Sequence, residues 1–234
     1  MSTQAAPDRF LDRDGTRLRW RIEGSGPAMV LLHGWALDLD YFDPAIALLA
    51  PRFTLLRFDR RGFGLSSGHP DPSIDVDDLE ALMVHAGITR AIVLGMSQGA
   101  RLALRFASLH RARVSALVLD GAPALDAEPE LPMAELRRLL AGEGITALRA
   151  RVRAHPLMQP RRADRKQRRL LDAMLQRYPG EDLLHPPARP PEPDLSGLDL
   201  PALVLHGSHD TPERQQAAMA LQRLLPGSRR IALP

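Results

Sequence analysis

The chain has 234 residues, 44% of them hydrophobic and 25% charged, which is the composition of a globular protein with a sizeable core. It contains no cysteine, and this excludes a disulfide framework, a thiol nucleophile and a thiolate metal site. The formal net charge is only +3, and 30 of the 31 basic residues are arginine with no asparagine anywhere, a bias that reads as coding preference and argues weakly for a nucleic-acid partner. Residues 1–9 hold no apolar stretch of the signal-peptide kind, and no run reaches the length of a membrane span, so a soluble, cytoplasmic protein is expected.

In chain order, residues 10–11 and 18–22 flank a turn-rich link and predict a hairpin with Asp14-Gly15 at its tip. Residues 28–32 form an apolar strand running into His33-Gly34-Trp35-Ala36. Residues 43–50 predict a short helix with Pro44 in its first turn, and residues 53–58 the next strand. The loop Asp59-Arg60-Arg61-Gly62-Phe63-Gly64-Leu65-Ser66 follows. Residues 75–85 carry a helical stripe of Leu79, Leu82, Met83 and Ala86 that stops at Gly87.

Residues 91–94 are a short buried strand, and residues 101–110 a helix with Leu102, Ala103, Phe106 and Ala107 on one face. Between them stands Gly95-Met96-Ser97-Gln98-Gly99. G-x-S-x-G at a strand-to-helix junction is the context of a nucleophile elbow, whose sharp turn exposes the serine at a helix N-terminus where developing negative charge is favoured. The alternative is a glycine-flanked turn whose serine merely caps the helix. A further strand covers 114–119.

From residue 122 to about 198 the alternation stops. Residues 132–141, 143–154 and 161–178 predict helices with no strand between them, ahead of a proline-rich stretch at 186–193. Residues 201–206 resume as a strand into Gly207-Ser208-His209-Asp210. Residues 213–225 predict a helix that buries Ala217, Ala218, Leu221, Leu224 and Leu225, and 229–233 begin a last strand. This rhythm argues an α/β fold with a mostly parallel, doubly wound sheet covered on both faces: a core over 1–121 and 199–234, and a helical cap over 122–198 inserted between core strands. Ligands bind such a sheet at the carboxyl ends of its strands, where His33, Asp59 and Ser97 all lie.

The run Arg161 to Arg169 carries six positive charges against Asp164. Without interleaved aromatic residues it reads as a solvated helix face, with steering of anionic substrates ahead of nucleic-acid binding. Gly24-Ser25-Gly26 is too short for a phosphate loop and lacks its lysine. The histidines are scattered without ligand spacing, so no metal and no cofactor is expected.

Taken together, Leu31-Leu32-His33-Gly34-Trp35, the loop from Phe58 to Ser66, Gly95-Met96-Ser97-Gln98-Gly99 and His206-Gly207-Ser208-His209-Asp210 resemble the α/β-hydrolase fold superfamily along essentially the whole chain. The nearest likeness is to small capped bacterial carboxylesterases and enol-lactonases. The resemblance implies a serine hydrolase acting on a small carboxylic ester or lactone through an acyl-enzyme at Ser97. The oxyanion donors would be the backbone N–H groups of Trp35 and Gln98. Trp35 either walls the acyl pocket or simply packs against the cap, and His33 braces its loop. Asp210 would orient the base, with an N-cap role as the alternative reading and Asp120 as the runner-up acid. Asp59 and Arg60 would fix the glycine loop and carry no chemistry.

The resembled pattern also has a histidine after the last core strand, and none follows His209 here. His209 adjoins Asp210 too closely to serve as the base easily, and His69, His85, His110 and His155 have no motif behind them. Two accounts stay open. One is a C-terminally truncated form of an active enzyme, which the intact motifs favour and which would expose apolar sheet surface. The other is a catalytically impaired ligand-binding or scaffold protein. No nucleic-acid or membrane partner is expected, and the oligomeric state is undetermined.

Overall fold

The computed structural model describes residues 6–125, 131–159 and 164–234. It opens with the hairpin β1 (Arg9–Arg13) and β2 (Thr16–Gly24), which pair antiparallel. Asp14 and Gly15 both have positive φ, 49° and 73°, the mirror-image turn whose twist matches the flanking strands. β3 (Ala28–Leu32), α1 (Asp43–Leu49), β4 (Thr54–Phe58) and α2 (Ile74–His85) follow. Then come β5 (Ala91–Met96), α3 (Gln98–Leu109) and β6 (Val114–Asp120).

The strands form one eight-stranded sheet in the order β1-β2-β4-β3-β5-β6, completed by β7 (Ala202–Gly207) and β8 (Ser228–Leu233). β2 meets β4 antiparallel, and every pair from β4 onward across the sheet is parallel. The reversal between β4-β3 and β3-β5 puts the ends of β3 and β5 side by side, the place where an open α/β sheet presents a ligand crevice.

On one face, Val30, Leu32, Val93, Leu117, Leu119 and Val204 pack with Leu79 and Leu82 of α2, with Ala103 and Phe106 of α3, and with Ala218 and Leu221 of α7 (Pro212–Leu224). This burial is the main source of stability, on the order of 25 cal/mol for each Å² of apolar surface removed from water. On the other face α1 sets Ile46 against Met29, Leu31 and Leu55. Ile92, Leu94, Val118, Leu203 and Leu205 on that face are only half-buried. Both faces are thus covered, as expected, the second less closely than the first. Leu224 is corrected, since it is 51% exposed while Ala217, Ala218, Leu221 and Leu225 are buried as expected.

Between β6 and β7 the described residues form helices and no strand: α4 (Met133–Ala154), α5 (Arg165–Arg177) and α6 (Glu181–Leu184). α4 bends at Gly144, whose φ of 82° and ψ of −178° break the helix where the sequence predicts two. α5 starts later than expected, behind an Asp164–Gln167 capping box, and Arg161, Arg162 and Ala163 of the basic run lie outside the described residues. These helices have a core of their own, with Leu148, Val152, Leu175 and Tyr178 packed on Trp35 and Phe63. Arg177 ties α5 to the sheet side by donating to Asp38 and Asp40, each at 2.7 Å. Among the described residues no helix is long and apolar enough to cross a membrane.

Candidate active site

Ser97 occupies the turn between β5 and α3 with φ 53° and ψ −114°. That is a strained conformation for a side chain-bearing residue, and such strain persists only where its surroundings enforce it. The glycines on either side are required by close approach. A Cβ on Gly95 would stand 2.2 Å from the Gly99 carbonyl oxygen, and one on Gly99 would stand 2.1 Å from the Leu32 carbonyl oxygen on β3. The Ser97 amide donates to the Asp120 carbonyl at 2.8 Å, locking the turn to the end of β6. Ser97 holds the N-cap position of α3, yet its side chain makes no capping hydrogen bond. The hydroxyl is therefore not consumed by the helix.

Gln98 is the first residue of α3, so its backbone N–H is among those with no partner inside the helix. Its side chain accepts from Arg60 Nη2 at 3.4 Å, and the same nitrogen reaches the Gly34 carbonyl at 3.4 Å. Arg60 thus spans the two turns on which Gln98 and Trp35 stand. The expectation that Arg60 only fixes its own glycine loop is corrected. Asp59 does that work, accepting from the Leu65 and Leu39 amides at 2.8 Å each.

His33 is fully buried and braces the same turn. Its Nδ1–H donates to the Gly34 carbonyl at 2.8 Å and its Nε2 accepts from the Arg60 amide at 3.1 Å. Burial first, and then the Arg60 charge, hold its pKa well below the ordinary value of 6.5, so the ring is neutral. Trp35 touches both the cavity and the helical segment. It lines the cavity beside Ser97, packs edge-on to Tyr178 at 5.3 Å, and donates from Nε1 to Asp182 at 2.6 Å. Tyr178 donates to the other oxygen of the same carboxylate at 2.6 Å.

Ser97 and Trp35 border a cavity of about 560 Å³, walled by core residues such as Trp35, Tyr41 and Met96 and by Leu157, Leu171 and Met174 from the helical segment. Its polar lining includes Ser97, Asp120, Gln159, Gln167 and Arg214. Asp210 is half-buried, and its carboxylate accepts from the Gly207 amide at 3.1 Å. It does not cap α7, because Thr211 is the N-cap. Asp120 titrates above the ordinary carboxylate value, pushed first by burial and then by the charge of Asp210, with Arg214 opposing.

None of the eight histidines is among the residues lining this cavity. His33 and His206 have both ring nitrogens engaged, the latter with Gly207 and Arg230. His85 sits edge-on to Trp20, His110 stacks on Phe106, and His155 accepts from the Leu157 amide. His209 is exposed. His69 and His185 meet at Glu181, the one grouping among the described residues that could hold a metal ion; the i,i+4 spacing of Glu181 and His185 is a ligand spacing that the expectation of scattered histidines overlooks. The partner that Ser97 Oγ does have is Arg214 Nη2, at 3.5 Å.

This arrangement of strained serine, flanking glycines and switch-point cavity coincides with a family match: the alpha/beta hydrolase fold profile matches residues 27–159. The chain belongs to the α/β hydrolase fold family. Among relatives, the chain is 34% identical over 117 residues to a pimeloyl-[acyl-carrier protein] methyl ester esterase of Pectobacterium carotovorum, covering 49% of this chain and 45% of that protein. It is 31% identical over 137 residues to a 2-(acetamidomethylene)succinate hydrolase of Mesorhizobium japonicum, covering 55% and 49%. The matched stretches thus span about half the length of these two relatives. Among solved structures, the enol-lactonase of Burkholderia xenovorans LB400 superposes with a TM-score of 0.81 at 26% identity, covering 96% of this chain and 91% of that one.

Two residues of this hydrolase-fold site escape sequence reasoning. Arg214 gives no signal beyond its place in the first turn after Thr211-Pro212. Asp182 reads as an ordinary acidic residue, because its partner Trp35 is 147 positions away.

Proposed function

We propose that the chain is a serine hydrolase acting on a small carboxylic ester or lactone through an acyl-enzyme at Ser97. The observation that carries this reading is Ser97 itself, held in a strained turn, free of any capping bond and lining an apolar cavity. Ser97 Oγ attacks the carbonyl carbon. The oxyanion of the tetrahedral intermediate is received by the backbone N–H groups of Gln98 and Trp35, the alcohol departs, and water releases the acid. Residues 122–198 act as the cap that roofs the cavity, and 1–121 with 199–234 as the core that bears the site. Asp210 is the acid of the charge-relay set, since its carboxylate is positioned by Gly207 and not spent as a cap; Asp120 is the alternative. Relatives named as a methyl ester esterase, a succinate-derivative hydrolase and an enol-lactonase support the substrate class.

The Oγ proton needs an acceptor, and this is where a second reading has its footing. The side chain seen beside Ser97 Oγ is Arg214, a cation that accepts no proton, which favours a hydrolase-fold protein that binds its ligand without turnover. Turnover of a panel of methyl esters and lactones by the wild type and by Ser97→Ala separates the two. The hydrolase reading predicts turnover that falls by roughly three orders of magnitude or more in the variant. Ester binding by equilibrium dialysis with no turnover in the wild type would establish the second reading instead.

A further inference from the structure

We propose that His69, Glu181 and His185 form a three-ligand site for a borderline divalent metal of the zinc class, clamping α6 to the loop between β4 and α2. His69 Nδ1 lies 3.5 Å and His185 Nδ1 lies 3.3 Å from the same oxygen of Glu181, and the three ligand atoms all fall within 4.8 Å of one another. Zinc–nitrogen and zinc–oxygen bonds of about 2.0–2.1 Å in a tetrahedron place neighbouring ligand atoms about 3.3–3.4 Å apart. The two edges to Glu181, 3.5 and 3.3 Å, are already close to that length. Two imidazoles and one carboxylate match zinc, nickel or copper and are a poor match for magnesium or calcium, which prefer all-oxygen shells.

The backbone around the ligands is fixed. Gly68 and Pro70 flank His69, and each is tightly seated: a Cβ on Gly68 would stand 2.6 Å from Thr16 Oγ1, and one on Gly62 would stand 2.5 Å from the Pro70 ring. Glu181 opens α6 and His185 is its C-cap one turn on, joined by the His185 amide donating to the Glu181 carbonyl at 2.8 Å. The imidazole rings already meet edge-on at 5.2 Å. The side chains of His69 and His185 are 74% and 64% exposed, so the site exchanges metal with solution and keeps room for water in the remaining coordination position.

The consequence concerns the cavity. Asp182, next to Glu181, is the residue that receives Trp35 Nε1 and the Tyr178 hydroxyl. A metal bridging α6 to the core loop therefore steadies the wall that Trp35 forms. This inference does not depend on Ser97 being a nucleophile.

The test is calorimetric titration of the untagged, metal-stripped protein with zinc chloride, with magnesium chloride as control, in the wild type and in His69→Ala, His185→Ala and the double variant. One-to-one zinc binding that weakens tenfold or more in each single variant and vanishes in the double variant is expected, with no magnesium binding. Absence of one-to-one binding, or binding that survives in the double variant, overturns the site. Amide exchange at residues 181–185 should slow when zinc is bound, and unchanged exchange with zinc bound overturns the clamp.

Discussion

Arg214 Nη2 lies 3.5 Å from Ser97 Oγ, while its Nη1 donates to the Gly121 carbonyl at 2.9 Å. One guanidinium thus touches the serine and ties the first turn of α7 to the end of β6. It also opposes the burial that raises the Asp120 carboxyl. Arg214→Ala should raise Asp120 further, read by carboxyl ¹³C NMR titration, and lower stability by about 1 kcal/mol through the lost hydrogen bond. An Asp120 that titrates at an unchanged pH in the variant would contradict the coupling.

The elbow should be intolerant of a single methyl group. A Cβ on Gly99 would press on the Leu32 carbonyl oxygen at 2.1 Å, against the backbone of β3. Gly99→Ala should therefore destabilise by about 3 kcal/mol or more, at or beyond the upper end for overpacking. Gly142→Ala in α4 is the control: nothing lies within 4 Å of an added Cβ there, and helix propensity favours alanine by up to about 1 kcal/mol. Thermal unfolding of the pair checks both, and similar midpoints would show that the elbow is looser than described.

The junction between the helical segment and the core rests on Asp182. Trp35→Phe and Tyr178→Phe each remove one donor from its buried carboxylate and should cost about 1–3 kcal/mol in urea unfolding. Each should also push the Asp182 carboxyl, already raised by burial, still higher. Unchanged stability in both variants would mean that the carboxylate is held by other groups.

What was legible in the sequence follows from how local each signal is. Asp14-Gly15 names its own turn, because only the left-handed region joins β1 to β2 that tightly. Gly95 and Gly99 announce the elbow, since the steric reason for each is a neighbour in the same motif or on the adjacent strand. α6 is not legible: four residues carry no periodicity, and the chain enters the helix through Gly180 with φ 78°. The looser cover of the second sheet face has no local trace either. Leu203 and Leu205 read as core in any apolar strand, and only the three-dimensional layout shows that α1 lies over β3 and β4 and leaves them half-buried. Pairings such as Arg177 with Asp38, 139 positions apart, are tertiary and have no local trace.

Asp75 gives the protein a pH dependence of definite sign. It is buried, with Oδ2 accepting from Arg60 Nη1 at 3.3 Å and Oδ1 without a hydrogen-bond partner. Burial, opposed by Arg60, pushes its carboxyl from 3.8 up to about 6. The folded state therefore holds a proton that the unfolded chain has released, and the stability tied to that proton is complete below about pH 4 and lost by about pH 6. Asp75→Asn lacks this titration. The stability of the variant relative to the wild type should rise between about pH 4 and 6 and level off above, measured by urea unfolding across that range. A flat difference would place Asp75 as a permanent carboxylate.

The most direct test of the account is exposure of the natively expressed protein to a fluorophosphonate, followed by intact mass and by tandem mass spectrometry of the peptide containing Ser97. An activated serine nucleophile predicts a single adduct on Ser97 and none on the Ser97→Ala variant. No adduct on the wild type, or an adduct that persists in the variant, would contradict the assignment of Ser97 and leave a cavity that binds without turning over.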